Sequence, residues 1–187
     1  MVIDKSSDAL RLIEIEHKRM GQVLDVLERQ IDLTENSKET DYKLIKLIVD
    51  YFLNFPDTCH HPKEDLIFAR VIAHKPNEMG IFGDLINEHK ELSQITHKAR
   101  DEVYLQCATS LVMSNIVPIL KAFLETYRHH IEAENKTFFP YVLKNLSQEE
   151  FDLIDFDLFD REDPVYDDDA EEQFSRLRDE IVAIGNE

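Results

Sequence analysis

The stretch from Ser6 to Thr34, SSDALRLIEIEHKRMGQVLDVLERQIDLT, decides the fold class. Ser6, Ser7 and Asp8 carry the side chains that cap a helix N-terminus. Behind them one stripe runs through Leu10, Ile13, His17, Met20, Leu24, Leu27 and Ile31. Its spacings alternate between three and four without a slip, the pattern of a helix facing a bundle core. One slot of that stripe is a histidine, His17.

The same reading extends along the chain. Thr34 to Thr40 is a polar loop, and a second helix is predicted from Asp41 to about Ile72, carrying Leu44, Ile45, Leu47, Ile48, Tyr51, Phe52 and Phe55. Pro56 lacks a backbone N–H and clashes with the preceding turn, so a kink is expected there. The stripe resumes with His60, Glu64, Ile67 and Val71. Pro76, Asn77 and Gly80 mark a turn. A third helix follows from about Phe82 to Ala108, with Leu85, His89, Leu92, Thr96, Ala99 and Val103 on one face. After a break at Thr109 to Ser114, a fourth presents Ile116, Leu120, Phe123, Tyr127, His130, Glu134, Phe138 and Tyr141, with Pro140 bending its end. Four amphipathic helices joined by short loops predict an all-α, up-down-up-down four-helix bundle over residues 1–146.

Residues 147–187 differ in character. They hold 16 Asp and Glu against 3 Arg, a net charge of −13 out of −18 for the whole chain of 187 residues. Ser147-Gln-Glu-Glu150 is a capping-box sequence. Apolar stripes follow at Phe151, Ile154 and Leu158, then at Phe174, Leu177, Ile181 and Ile184, separated by an acidic linker with Pro164. This is expected to be an acidic helical tail packing on the bundle or on a partner.

The acidic balance leaves no basic stripe for phosphates, which argues against nucleic acid, and it disfavours an anionic membrane surface. No apolar leader and no run of 18 apolar residues is present. Cys59 and Cys107 form no metal or redox pair and are expected as thiols in or near the core. The compartment expected from these features is the cytoplasm.

The chemistry lies in two echoing segments, His60-His61-Pro62-Lys63-Glu64-Asp65 and His129-His130-Ile131-Glu132-Ala133-Glu134. A spacing of four puts His60 with Glu64, and His130 with Glu134, on one helix face. With His17 and His89, six ligand-type side chains sit on inward stripes, and every bundle helix supplies at least one. Buried glutamates are rare unless paired or coordinated, so the set predicts a metal site. Imidazole and carboxylate without thiolate suit iron, manganese or zinc. Six groups exceed a four-coordinate structural zinc site and suit two metals with both glutamates between them.

Together, Glu16-His17-x-x-Met20, His60-x-x-x-Glu64, His89 between Glu88 and Lys90, and His130-x-x-x-Glu134 followed by Phe139-Pro140 resemble the hemerythrin-like (HHE cation-binding) domain over about residues 8–146. The resemblance implies a non-haem di-iron centre, two iron ions with an oxo or hydroxo bridge. It casts His17, His60, His89 and His130 as terminal ligands and Glu64 and Glu134 as bridging carboxylates. In oxygen-carrying members a second histidine stands one turn after the third-helix ligand; here that position is Ser93. His97 lies two turns on. His61 and His129 adjoin matched ligands, but helix neighbours point about 100° apart, so either reaches the site only through local distortion.

Three functions remain open at this stage. One is binding or sensing of oxygen, nitric oxide or iron itself. A second is an iron-handling, enzyme-like role: repair of iron–sulfur centres, or reduction of peroxide or nitric oxide. A third is an interaction module whose acidic tail mediates a homodimer or recruits a protein partner. No cofactor motif for an electron source is present, which favours binding.

Overall fold

The computed structural model describes residues 7–36, 38–75, 79–109, 116–159 and 168–186. Among them the regular structure is entirely helical: α1 (Asp8–Glu35), α2 (Tyr42–Phe55), α3 (His61–His74), α4 (Met79–Ala108), α5 (Ile116–Ala133), α6 (Phe139–Asn145), α7 (Gln148–Phe159) and α8 (Asp168–Ile184). No helix of the described residues is long and apolar enough to cross a membrane. The expected turn residues Pro76 and Asn77, most of the break before α5 and the linker with Pro164 lie outside the described residues.

The elements start where local chemistry satisfies their exposed N–H groups. Asp41 caps α2 by accepting from the N–H of Lys43 and Leu44 at 2.9 and 3.0 Å. The predicted capping box before α7 forms, with Ser147 N–H on Glu150 Oε2 at 2.7 Å and Glu150 N–H on Ser147 Oγ at 3.3 Å. At α1 the cap is shared over a long sequence distance. Ser7 Oγ accepts from Leu10 N–H and donates to Asp155 of α7, whose carboxylate also accepts from the N–H of Asp8 and Ala9 at 3.0 Å each. A carboxylate at a helix N-terminus answers both the orphan donors and the helix dipole. Asp155→Ala is expected to lower stability by about 1–2 kcal/mol, the upper part of the range for a lost cap, read as a fall in the urea midpoint with an unchanged slope.

The expected second and fourth helices each run through a widened turn. Residues Pro56–His60 and Glu134–Phe138 are π-helical, closed by His61 N–H on the Pro56 carbonyl and Phe139 N–H on the Glu134 carbonyl, five residues back. The kink expected at Pro56 is therefore a π turn that begins there, and the helical path continues. Its cause lies downstream. Each π turn is followed by a residue and then a proline, Pro62 and Pro140. A proline ring collides with the carbonyl four residues earlier; those residues, Thr58 and Lys136, lie inside the two turns, and the wider winding makes room. Such turns cluster at functional sites.

α2 packs on α4, α4 on α5, α5 on α1 and α1 on α2, so the four surround a common interior. Every stripe residue named above on the first helix is buried, as are those from Leu85 to Val103 apart from His89, which is partly exposed. The buried apolar residues divide into two clusters. One holds Met20, Leu24, Phe52, Leu92, Phe123 and Tyr127; the other holds Ile13, Ile67, Phe68, Leu85, Phe138 and Phe151. His17, His60, His89 and His130 fall in sequence between members of the first and members of the second, a polar layer between two apolar cores. The tail belongs to both: Phe151, Ile154 and Leu158 of α7 join the second cluster, and Ile181 of α8 joins the first. One expectation fails at the surface: Cys107 is exposed, while Cys59 is buried.

Candidate metal centre

All six ligand-type residues named from the sequence meet in the polar layer. A ligand atom from each of His17, His60 and Glu64 lies within 4.8 Å of the others. A second group with the same property comprises Glu64, His89, His130 and, in addition, His61. Glu64 is common to both. Glu134 also faces both ways, with Oε2 3.4 Å from His17 Nε2 and 3.3 Å from His130 Nε2, and Oε1 3.8 Å from His89 Nε2. Two carboxylates thus stand between a two-histidine side and a three-histidine side.

His61 is the residue that sequence reasoning placed in doubt. The π turn supplies the distortion that a regular helix lacks. It ends at His60, and its wider winding turns neighbouring residues through less than the α-helical angle. Both rings stay inside: His60 is fully buried and His61 is 5 % exposed. The His61 ring stacks on that of His89, with centroids 3.9 Å apart and planes 12° from parallel. Asp57 accepts from His61 Nδ1 at 3.0 Å, and its carboxyl is held below its usual range by His61 first and also by Ser93, the position where oxygen-carrying members have a histidine. No such turn includes His129, which is exposed, as is His97. Glu14 is exposed too, so its spacing to His17 does not bring it to the cluster.

Each ring is held from behind. His60 Nδ1 meets Glu16 Oε2 at 2.8 Å, His130 Nδ1 meets Glu88 Oε2 at 2.9 Å, and His17 Nδ1 meets Asn135 Oδ1 at 3.0 Å. His89 Nδ1 has a looser neighbour, Asp65 Oδ1 at 3.8 Å. An acceptor at Nδ1 fixes the tautomer and turns the Nε2 lone pair inward, the arrangement that orients metal-bound imidazoles. One signal for these supports was visible: Asp57 stands four residues before His61, the spacing already used to pair His60 with Glu64. Glu16 and Glu88 serve histidines on other helices, which no local spacing reveals.

The inward atoms fit a metal. Nε2 of His61, His89 and His130 and all four carboxylate oxygens of Glu64 and Glu134 are buried without a hydrogen-bond partner. Buried polar atoms are otherwise paired almost without exception, so seven orphans in one layer mark a missing common partner. His17 Nε2 and His60 Nε2 stand 3.0 Å apart; two donors about 2.1 Å from one metal and at right angles to each other lie about 3.0 Å apart.

Charge makes the same point. Burial pushes the His60 imidazole down to about 3, outweighing the pull of Glu64, so the ring is neutral and its Nε2 lone pair available. His17 and His89 go the other way. Burial opposes their protonation, but Glu134 and Glu64 outweigh it and raise both to about 10. Burial likewise opposes ionisation of Glu64, yet the His17 and His89 imidazoliums beside it hold it well below the usual carboxylate range. The protein's own means of balancing two buried carboxylates here is imidazolium, and a di- or trivalent cation does the same work while taking the lone pairs. Tyr127, one turn from His130, is committed elsewhere: its hydroxyl bonds Thr96 Oγ at 2.9 Å and the Phe52 carbonyl at 3.4 Å.

The fold and the cluster define a class: an all-helical protein with a buried, carboxylate-sharing histidine centre of metal-ligand chemistry. The family model for the hemerythrin HHE cation binding domain matches residues 8–142, and the chain belongs to that family. No curated protein and no solved structure matches it.

Proposed function

We propose that this chain is a non-haem di-iron protein that binds or senses oxygen, nitric oxide or iron. The observation that carries the reading is the set of orphaned carboxylate oxygens and imidazole nitrogens converging in one layer between two apolar cores. In this reading His17 and His60 would hold one iron, His61, His89 and His130 the other, and Glu64 and Glu134 would be shared. Iron so held supplies reversible redox chemistry toward small diatomic molecules. The protein's part is to fix the ring tautomers through Glu16, Asp57, Glu88 and Asn135, and to keep bulk water out through the two apolar clusters. The side with two histidines offers fewer protein donors than the side with three. Nitrogen and oxygen donors without thiolate favour iron over a structural zinc site.

The scaffold reading that goes with this takes α1, α2 with α3, α4, and α5 with α6 as the four arms of an up-down-up-down bundle over residues 1–146. Residues 147–187 form an extension whose apolar stripes are spent on the bundle of the same chain.

Loading the chain with ferrous iron without oxygen and then admitting air tests the reading. A near-ultraviolet band of a bridged di-iron centre should appear, and should be cleared by degassing if the protein carries oxygen. A spectrum that air leaves unchanged would count against any oxygen-reactive iron pair.

A further inference from the structure

Lys63 is 1 % exposed, among the most buried large side chains of the molecule. It follows the π turn by three residues, on the side of α3 that faces α1 and α8, and its ammonium contacts two carboxylates, Glu16 Oε1 of α1 and Glu171 Oε1 of α8. The other oxygen of Glu16 holds His60 Nδ1 at 2.8 Å. A continuous polar chain therefore runs Glu171, Lys63, Glu16, His60, from the acidic tail to the metal centre. A second route runs parallel to it through aromatic rings. Phe174 of α8 packs on Phe55 with centroids 5.7 Å apart, and Phe55 stacks on the His60 ring at 6.1 Å with planes 20° apart. Both routes leave α8 within one turn of each other, and both end on His60.

We propose that α8 is a positioning element of the metal centre, with Glu171 as a positioning residue that fixes His60 through Lys63 and Glu16; the proposal rests on the metal reading above. The physical argument is one of rigidity. Burying an ammonium is strongly unfavourable unless its donors are met by anions in good geometry, and Glu16 and Glu171 meet that need for Lys63. Glu16, shared between Lys63 and His60, is then fixed at both oxygens and cannot swing away from the ring. Remove Glu171 and the ammonium loses an anion on the α8 side, so its hold on Glu16 shifts and the ring loses its fixed acceptor. The three links join residues 108, 47 and 44 apart in sequence, so the centre is completed only when the tail has folded onto the bundle.

The test uses the full chain in two measurements. In the first, iron-loaded wild type, Glu171→Ala and Glu171→Gln are challenged with a ferrous chelator. Support for one metal-bound histidine is worth roughly 10- to 100-fold in affinity, so Glu171→Ala should release one of its irons about 10-fold faster. Glu171→Gln keeps an oxygen within reach of Lys63 and should fall within about threefold of wild type, a rescue that loss of helix docking cannot produce. Release by Glu171→Ala at the wild-type rate would overturn the proposal. In the second, imidazole nitrogen resonances are recorded on the metal-free chain. His60 should be a single Nδ1–H tautomer in the wild type and a mixture in Glu171→Ala, and an unchanged tautomer would overturn the proposal. A wild type that takes up no iron sinks the function proposed above, and the tautomer measurement still decides this one.

Discussion

Glu64→Ala is expected to abolish loading of both metals at once, the largest effect of any single substitution in the chain. The residue is fully buried, belongs to both ligand groups, and its two oxygens are orphaned among protein atoms. Removing it takes a donor from each side of the centre and the one negative charge they share. The metal-free fold should lose stability as well. Glu64 balances the His17 and His89 imidazoliums there, and removing one partner of a buried charge pair costs about 3–5 kcal/mol. Loaded wild type gains the binding free energy in addition: metal at about 1,000 times its dissociation constant stabilises by about 4 kcal/mol. For a domain of this size that is roughly 8–16 °C in Tm. Thermal melts with and without iron should therefore differ by that amount in wild type and coincide in Glu64→Ala. An equal metal-induced shift in both would remove Glu64 from the centre.

The second large effect concerns His61. Supports outside the ligand set are worth roughly 10- to 100-fold in metal affinity, so loss of a direct ligand should exceed about 100-fold. His61→Ala is expected to weaken one of the two metals by at least that factor and to leave the two-histidine side occupied. His129→Ala, with its ring exposed, should bind as wild type does. Ser93 offers a sharper comparison, because it lies one turn beyond His89 and, with His61, lowers the Asp57 carboxyl. The double variant His61→Ala with Ser93→His should recover much of the lost affinity, since the new imidazole would approach from the next turn of α4. Isothermal titration with ferrous iron under nitrogen separates these outcomes. Full affinity in His61→Ala would mean that the ring packs against the centre without serving it.

These two residues also show how far the sequence could be read. The stripe of α1, unbroken from Leu10 to Ile31, makes the helix and its inward face legible because a spacing of three and four has no other structural solution. Glu64 was legible for the same reason, four residues from His60 on a helix whose inward face was already known. His61 was not, because its place depends on a π turn. That turn arises from Pro62 acting on the residues before it, a backbone response that side-chain periodicity does not encode. Pro56 drew attention as the expected kink, yet it only opens the widened turn. The supports of the centre were hidden for a different reason. Glu16 serves a histidine 44 residues away, and Glu171 reaches Lys63 across 108, so their partners are set by packing and not by spacing. The tail was readable as helical and acidic. That Asp155 caps α1 and that α8 leads to His60 follow only from where its two helices lie.

Metal content on protein purified without chelators decides whether Glu64 and Glu134 share a two-metal centre. Two iron ions per chain are expected, falling to fewer than one in Glu64→Ala. One zinc per chain and no iron would rule out the di-iron centre.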